Sequence, residues 1–438
     1  MYSEVECSLA SPIMYKLWHG VLNVIYSKNI TNQERTFVCP YLGQMLVYEY
    51  KIKANSTKLA AIDGAIRTGQ YIRNKCLRYW MDAAPEQKIN RFALNRYSTI
   101  VANDPEMPFA KLIHSNARQS SAERAWAAIS RFYNAARKKG VPGKKGYPRY
   151  KKNSRSIEYK VGGWKLSSCR KYITFTDKTG IGCLKLVGSR DIQFADLKDI
   201  KRIRLIKRAD GYYCQFCIKN ERLEDCTLTG NSIGIDVGLE SFYTDSNGEG
   251  VANPRYLRKA EKRLKRLQKQ VSRQKKGSSN RRKAINKLGR QHLTISRRRK
   301  DFVVKTARAL CTSNDVIVLE NLNVRNLVKN HNLAKSISDA SWRLFRQWLE
   351  YFGSIFDREI IAVNPAYTSQ DCSSCGKRVK KSLSTRTHQC SCGAKLCRDE
   401  NAAINILNKG TVGHTATTPV YGVNASGQMT LWLDLETS

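Results

Sequence analysis

Two pairs of closely spaced cysteines constrain the fold of this 438-residue chain more than any other feature. The first pair is Cys372-Ser-Ser-Cys375 and the second is Cys390-Ser-Cys392, and a glycine follows each pair. Paired cysteines on two short turns each offer two sulfurs to one side of a metal, and Zn²⁺ prefers a tetrahedral set of such ligands. The sequence therefore predicts a small zinc module formed by these four residues.

A third pair, Cys214 and Cys217, has the same spacing as the first pair but lies in the strand-like run 212–218. Side chains alternate between the two faces of a strand, so positions three apart point to opposite sides of the sheet. We therefore predict that these two cysteines are packing residues and that they share no metal.

The charge of the chain points to a polyanionic partner. It has 77 Lys and Arg residues against 36 Asp and Glu, which gives a formal net charge of +41. A folded protein tolerates this excess best when a polyanion neutralises it, so nucleic acid is the leading partner. No run approaches the roughly 18 apolar residues that a membrane span needs. We expect no membrane partner and a cytoplasmic, nucleoid-associated protein.

Composition also bounds the size and chemistry of the fold. The length suggests two or three domains, and an apolar content of 41% is sufficient for real cores. Fourteen cysteines in 438 residues is a much lower density than that of small disulfide-bonded domains. We expect the cysteines outside the zinc module to be reduced thiols.

The positive charge is concentrated between Arg255 and Lys300, where 20 Lys and Arg accompany one acid, Glu261. Helically spaced apolar residues and a turn at 277–280 predict a helical hairpin in this region. Its first helix carries an apolar stripe of Leu257, Ala260, Leu264, Leu267 and Val271. With almost no acids to pair with, these cations are better suited to phosphate contacts than to a solvated surface.

The first half of the chain changes character twice. Residues 58–139 have the periodicity of a helical bundle, and short β-type runs follow at 172–176, 183–187, 200–206 and 212–218. We expect these runs to form a small barrel or sheet. Residues 1–44 match neither pattern, and two interpretations stay open: a short N-terminal extension, or sequence upstream of a start at Met45.

Three acids follow or flank apolar segments in similar contexts. Asp236 and Glu320 end strand-like runs, and Asp399 comes soon after the cysteine pairs. Carboxylates at the ends of separate strands can converge at one edge of a sheet, and hydrolysis of phosphodiesters with two Mg²⁺ ions needs such hard oxygen ligands. Each acid also has a plain structural interpretation as a strand-end or helix-cap residue, with an N-cap role for Asp399.

The order of these motifs resembles the TnpB proteins of insertion sequences, which are relatives of the type V CRISPR effectors. The matching motifs run from Gly-Ile-Asp236-Val-Gly through Val-Leu-Glu320-Asn-Leu to Tyr367-Thr-Ser-Gln-x-Cys372 and Arg398-Asp399-x-Asn-Ala-Ala. Several co-linear motifs are much more specific than any one of them. The likeness covers about residues 45–415.

The resemblance implies a transposon-associated RNA-guided DNA endonuclease with an α/β, RuvC-like, RNase H-type nuclease domain. On that basis Asp236, Glu320 and Asp399 are the catalytic carboxylates that bind two Mg²⁺ ions, and the four cysteines hold structural Zn²⁺ in an inserted zinc ribbon. The expected partners are a guide RNA and double-stranded target DNA, bound by a monomer. Two alternatives are a guide-dependent DNA-binding regulator that does not cut and a DNA transposase.

The resemblance also implies a domain organisation, in which a wedge-like β-barrel with an inserted helical recognition lobe precedes the nuclease. The predicted boundaries are 1–44 for the N-terminal extension, 45–57 and 140–228 for the barrel, 58–139 for the lobe, 229–367 and 396–415 for the nuclease, 368–395 for the zinc ribbon, and 416–438 for the C-terminal tail.

One departure from the family pattern concerns the second cysteine pair. The family usually has two residues between these cysteines, and this chain has only Ser391 between Cys390 and Cys392. A shorter turn can strain the tetrahedral geometry, so Cys397 or His388 are candidate substitute ligands. A finger that has lost its metal is the alternative.

Overall fold

The computed structural model describes residues 45–411 except 85, 138–145, 189–191, 193–194, 220–223, 225 and 383–384, together with 422–423 and 429–430. The predicted extension 1–44 and most of the predicted tail 416–438 lie outside the described residues. Within the described part of the chain, no helix is both long enough and apolar enough to cross a membrane.

A seven-stranded antiparallel sheet contains the first seven strands. They are β1 (Met45–Lys53), β2 (Ser156–Lys160), β3 (Trp164–Leu166), β4 (Tyr172–Phe175), β5 (Cys183–Val187), β6 (Ile200–Arg208) and β7 (Gly211–Lys219), with a 3₁₀ turn at Leu197–Asp199. Their order in the sheet is β2-β6-β7-β1-β5-β4-β3. The β-type runs predicted between 172 and 218 are confirmed as strands.

The two edges of this sheet lie close together. β2 and β3 are at opposite ends of the strand order, yet only residues 161–163 separate them in sequence. Four Cα steps span at most about 14 Å, whereas six flat strand spacings would span about 29 Å, so the sheet must curl. Among the described residues no ladder joins β2 to β3, and the closed barrel stays a prediction.

The pair Cys214 and Cys217 lies in β7, with the two side chains on opposite faces as predicted. Cys214 packs in the apolar core with Phe216 and Ile218, and burial raises the pKa of its thiol. Cys217 lies on the other face, where burial raises the pKa of its thiol and the charge of Arg204 partly offsets this effect. The two cysteines therefore belong to the packing of the sheet.

Four helices are inserted between β1 and β2: α1 (Ser56–Asp82), α2 (Arg91–Asn103), α3 (Pro108–Leu112) and α4 (Ser115–Arg137). Asn55 and Asn90 cap α1 and α2 by accepting hydrogen bonds from backbone N–H groups of the first turn. The helical periodicity predicted for this region is confirmed. On α4, Arg124 Nη1 donates to the Ser156 carbonyl at 2.9 Å, which ties the helices to β2.

A five-stranded mixed sheet forms the second half of the molecule. Its strands are β8 (Ser232–Val237), β9 (Ser241–Asp245), β10 (Gly250–Ala252), β11 (Val316–Glu320) and β12 (Glu359–Val363), in the order β10-β9-β8-β11-β12. β8, β11 and β12 are parallel, and β9 and β10 extend the sheet as antiparallel strands.

Six helices accompany this sheet: α5 (Tyr256–Arg273), α6 (Ser279–Ser313), α7 (Val324–Leu327), α8 (His331–Ala340), α9 (Trp342–Phe356) and α10 (Arg398–Thr411). Two short ribbons complete the described elements, β13 (Thr387–Gln389) with β14 (Lys395–Cys397), and β15 (Gly422–Val423) with β16 (Met429–Thr430).

The two faces of the mixed sheet are covered by different helices. Ile317 and Leu319 of β11 join a core with residues of α6 and α9, whereas Val318 packs with Ile406 of α10. Parallel strands that are covered on both faces are typical of α/β proteins. The sheet is therefore the middle layer of three.

The predicted basic hairpin is formed by α5 and α6. Arg281 Nη1 closes it by donating to the carbonyls of Val271 and Gln274, each at 2.9 Å. Arg297 of α6 reaches Asp210 at 2.6 Å and the Tyr213 hydroxyl at 2.8 Å. These contacts fasten the hairpin to the turn between β6 and β7, so it bridges the two sheets.

A buried arginine anchors the chain where it enters the mixed sheet. The Arg358 guanidinium is fully buried and lies 2.7 Å from Asp315, and it donates to the carbonyls of Cys226 and Thr227. Burial opposes ionisation of Asp315, but hydrogen bonds from backbone N–H groups, above all that of Thr229, lower its pKa. This ion pair fixes the segment that leads into β8.

Candidate active site and metal centre

Strand register brings Asp236 and Glu320 side by side. Ile235 of β8 pairs with Leu319 of β11, so the next residue of each strand is an acid. Side chains alternate along a strand, and Ile235 and Leu319 both face the core formed with α6 and α9. The two carboxylates therefore project to the other face of the sheet, which α10 covers.

Two glycines allow α10 to lie very close to that face. A Cβ atom on Gly234 would come within 2.2 Å of the Ala403 carbonyl oxygen, and one on Gly410 within 2.5 Å of the Val318 side chain. Any larger residue at either position would push the helix away from β8 or β11. The close packing sets the distance of the first turn of α10 from Asp236 and Glu320.

Asp399 lies in that first turn. The helix begins at Arg398, immediately after β14, so Asp399 is inside the helix and the N-cap interpretation is wrong. Its carboxylate is 3.1 Å from Arg398 Nε and 3.7 Å from Arg386 Nη1. Two guanidinium groups thus hold the third acid.

The three acids interact electrostatically. The pKa of Asp236 is raised to about 8, first by burial and then by the charges of Glu320 and Asp399, while Arg398 acts in the opposite direction. Burial raises the pKa of Glu320, and the hydroxyl of Thr368 partly offsets this effect. Negative charge is therefore costly at this site, and a bound cation would relieve the cost.

These carboxylates suit a hard divalent cation. Mg²⁺ takes oxygen ligands and is commonly held by one or two carboxylates. In the part of the chain that the structure describes, only the four cysteines bring three or more candidate ligand atoms within 4.8 Å of one another. The carboxylates of Asp236, Glu320 and Asp399 are therefore farther apart than the four cysteine sulfurs. The two candidate metal sites differ in the chemistry of their ligands and in the distances between them.

The four predicted cysteines converge on one point. The sulfurs of Cys372 and Cys392 are 3.7 Å apart, and those of Cys375 and Cys390 are 3.6 Å apart. Four thiolates around Zn²⁺ at about 2.3 Å would be separated by about 3.8 Å. The shorter second pair therefore still reaches the common point, and the cluster can hold a metal such as zinc.

The substitute ligands do not take part in this cluster, which contains neither His388 nor Cys397. His388 is buried in β13 and its Nδ1 contacts Lys381 Nζ. The backbone N–H of Cys392 lowers the pKa of the Cys390 thiol to about 6. A thiol with a lowered pKa is readily converted to the thiolate, which is the form that binds metal.

Sequence reasoning missed the polar residues that join the cysteine finger to the carboxylates. Thr368, Asn401 and Asn405 are buried and hydrogen-bonded between the two sites. The available signal was a pair of asparagines four residues apart in an Ala- and Ile-rich helix. Asparagine is uncommon in such a buried stripe unless its amide is satisfied there.

A basic cavity of about 310 Å³ is lined in part by Arg386, which also contacts Asp399. Its charged lining comprises Arg255, Arg258, Lys335 and Arg386 together with Glu240 and Asp339. Asp339 accepts hydrogen bonds from the N–H groups at the start of α5 and is paired with Arg299. Arg386 pairs with Glu240 of this lining at 2.6 Å and lies 3.7 Å from Asp399, so it connects the cavity to one of the three acids.

Comparison with family models gives two matches in the second half of the chain. A model described as "Probable transposase" (OrfB_IS605) matches residues 215–331. A second model, described as "Cas12f1-like, TNB domain", matches residues 342–406. The first range includes Asp236 and Glu320, and the second includes the four cysteines and Asp399.

Two relatives match over much longer stretches. A "Putative RNA-guided DNA endonuclease" of Streptomyces pristinaespiralis is 30% identical over 83% of this chain and 89% of that protein. "Putative RNA-guided DNA endonuclease InsQ" of Escherichia coli (strain K12) is 29% identical over 60% of this chain and 68% of that protein.

A solved structure, the complex of Cas12f1 with its sgRNA and target DNA, matches with a TM-score of 0.49 and 14% identity. The match covers 80% of this chain and 82% of that one.

Proposed function

Because this chain belongs to the TnpB family of insertion-sequence proteins, we propose that it cuts DNA under the guidance of an RNA, with Asp236, Glu320 and Asp399 as its cutting centre. The observation that carries the proposal is the meeting of three acids, from β8, β11 and α10, on one face of the mixed sheet. Half-buried carboxylates held close enough to raise one another's pKa are typical of functional sites.

The organisation of the mixed sheet supports the assignment of a RuvC-like, RNase H-type domain to 229–367 and 396–415. In this interpretation 368–395 is a zinc ribbon inserted before the last catalytic element. The curled antiparallel sheet supports a wedge-like barrel at 45–57 and 140–228, and the inserted helices at 58–139 are the recognition lobe.

The chain's own residues prepare the cutting centre for metal. Two bound Mg²⁺ ions would supply an activated water and stabilise the leaving oxygen of the phosphodiester. Asp236, with its pKa near 8, would release its proton as it becomes a ligand. Glu320 is oriented by the Thr368 hydroxyl, and Arg386 and Arg398 limit the movement of Asp399.

The basic cavity and the α5–α6 hairpin supply the nucleic-acid contacts in this proposal. The cavity lining carries four cationic side chains, and one of them, Arg386, contacts Asp399. A strand entering the cutting centre would need its phosphates neutralised there. The hairpin carries most of the 20 cations between Arg255 and Lys300, which suits a structured RNA or an RNA–DNA duplex. We assign structural Zn²⁺ to the cysteine cluster, and contact with the target strand to the finger.

A DNA-binding regulator that does not cut is the first alternative. It would need the guide and the scaffold but not three interacting carboxylates, and the cost of burying them argues against it. A transposase that joins DNA ends uses similar carboxylates, and its products would be joined rather than broken ends.

The test is to copurify the protein with RNA from its native locus and to incubate it with Mg²⁺ and a plasmid library. The library carries a target matched to that RNA, flanked by randomised sequence. We expect double-strand breaks in the plasmids with one short flanking motif, and none with the Asp236→Ala protein, which should bind the same DNA. Equal binding without cutting by either protein would favour the regulator, and joined products would favour the transposase.

A further inference from the structure

Three buried polar side chains lie between the cysteine finger and Glu320, and the cutting chemistry does not by itself require them. Thr368 is 3% exposed, Asn401 0% and Asn405 9%. Burying a hydroxyl or an amide is unfavourable unless its polar atoms find partners. The partners of these three residues form one continuous path.

The path starts at Glu320. The Thr368 hydroxyl lies 2.5 Å from Glu320 Oε1 and 3.2 Å from the Pro365 carbonyl oxygen. A hydroxyl has one hydrogen to donate, and an ionised carboxylate is the stronger acceptor. Thr368 therefore donates to Glu320. The χ3 angle of a glutamate, which turns the carboxylate, normally has a broad distribution. A hydrogen bond to one of the two oxygens restricts that rotation.

Thr368 is in turn held by α10. Asn405 Nδ2 donates to the Thr368 carbonyl at 2.9 Å and to the Asp371 carbonyl at 2.7 Å. An amide group has two hydrogens, so both are used. The backbone on either side of residues 369–370 is thereby fixed to the helix that carries Asp399.

The path ends at the first cysteine turn. Asn401 Nδ2 donates to the same Asp371 carbonyl at 2.8 Å, and Asn401 Oδ1 accepts from the Ser373 backbone N–H at 3.0 Å. Ser373 follows Cys372, whose sulfur belongs to the metal-type cluster. The root of the finger and the carboxylate of Glu320 are thus parts of one hydrogen-bonded structure.

We propose that Thr368, Asn405 and Asn401 form a positioning relay. It orients the Glu320 carboxylate relative to Asp399 for divalent-metal binding, and it is anchored at the base of the cysteine finger. None of the three touches the reacting atoms, so they are positioning residues. Outer partners of this kind typically change metal affinity or activity 10- to 100-fold when they are removed. The proposal rests on the proposed function for the divalent-metal site and for the cleavage readout, and the Mn²⁺ measurement tests the relay without cleavage.

The test compares Thr368→Val, which keeps the shape but removes the hydroxyl, with Thr368→Ser, which keeps the hydroxyl. Mn²⁺ binding is measured by electron paramagnetic resonance on full-length protein with its RNA and without added Mg²⁺, using Asp236→Ala as background. We expect the valine variant to bind Mn²⁺ about 10- to 100-fold more weakly and the serine variant to bind like the original protein. The Mg²⁺ concentration that half-saturates cleavage should rise with the same ranking, at unchanged DNA affinity.

Equal Mn²⁺ affinity of the valine variant and the original protein would overturn the relay, as would a serine variant as weak as the valine variant. Thr368→Ala gives the same comparison if valine lowers thermal stability. Mn²⁺ binding that follows the predicted ranking in a protein that never cuts would support the relay and refute the endonuclease. Absence of Mn²⁺ binding above the Asp236→Ala background would refute both.

Discussion

The protonation of Asp236 leads to a prediction about stability before any metal binds. Its pKa is about 8 in the folded protein, against an ordinary value of 3.8, because it is buried near Glu320 and Asp399. Between these two values the folded protein holds a proton that the unfolded chain has released. Stability therefore falls as the pH rises through this window. Asparagine has nearly the same shape and cannot ionise, so Asp236→Asn removes this loss.

The magnitude follows from the shift. One pKa unit corresponds to about 1.4 kcal/mol, and pH 7 lies about 3 units above the pKa of an aspartate in the unfolded chain. The upper limit of the cost at pH 7 is therefore about 4 kcal/mol. Because side chains and water can rearrange around the site, we expect Asp236→Asn to raise the free energy of unfolding by about 1 to 4 kcal/mol.

The assay is urea denaturation followed by circular dichroism, with zinc retained and no Mg²⁺ added, at pH 5 and pH 8. The gain should be larger at pH 8. Asp315→Asn is the matched control with the opposite sign, because the Asp315 carboxylate accepts hydrogen bonds from the backbone N–H groups of Thr229 and Gly230. These bonds lower the pKa of Asp315 against the effect of burial, so loss of its charge should destabilise the protein. An Asp236→Asn protein that is no more stable than the original, or whose gain does not grow with pH, would refute this reasoning.

Three further predictions concern other parts of the molecule. Cys375→Ser should lower the bound zinc measured by mass spectrometry, whereas Cys397→Ser should keep it; equal zinc in both would contradict the four-cysteine cluster. Arg358→Met should lower the free energy of unfolding by about 3–5 kcal/mol in chemical denaturation, because it leaves the Asp315 charge unpaired; no loss would contradict the anchoring role. The Mg²⁺ concentration that half-saturates cleavage should fall as the pH rises from 6 to 8, because Asp236 must lose its proton to become a ligand; a flat profile would argue against that step.

Local patterns were sufficient to predict many of the elements. The apolar runs before Asp236 and Glu320 are strands, the basic stretch is a hairpin of two helices, and Cys214 and Cys217 lie on opposite faces of their strand. Each of these features depends on the period of side chains along one element. The convergence of the four cysteines was also predictable, because two closely spaced cysteine pairs on short turns are typical of a zinc site.

Features that depend on contacts between distant segments were not predictable. Nothing in the sequence of β8 or β11 gives the register that aligns Ile235 with Leu319. The alternative interpretation of Asp399 as an N-cap was wrong because β14 runs directly into α10 and the helix starts at Arg398, two residues before the start that an Asp399 N-cap would give. The partners of Asn405 lie more than 30 residues away, so no local pattern could indicate them.

Anomalous X-ray diffraction at the manganese and zinc edges would test the central claim most directly, on crystals of the protein with its guide RNA, target DNA and Mn²⁺. We predict manganese bound by the carboxylates of Asp236, Glu320 and Asp399, and a separate zinc signal at the four cysteines. Manganese that binds elsewhere while the three carboxylates stay without metal would contradict the account of the cutting centre.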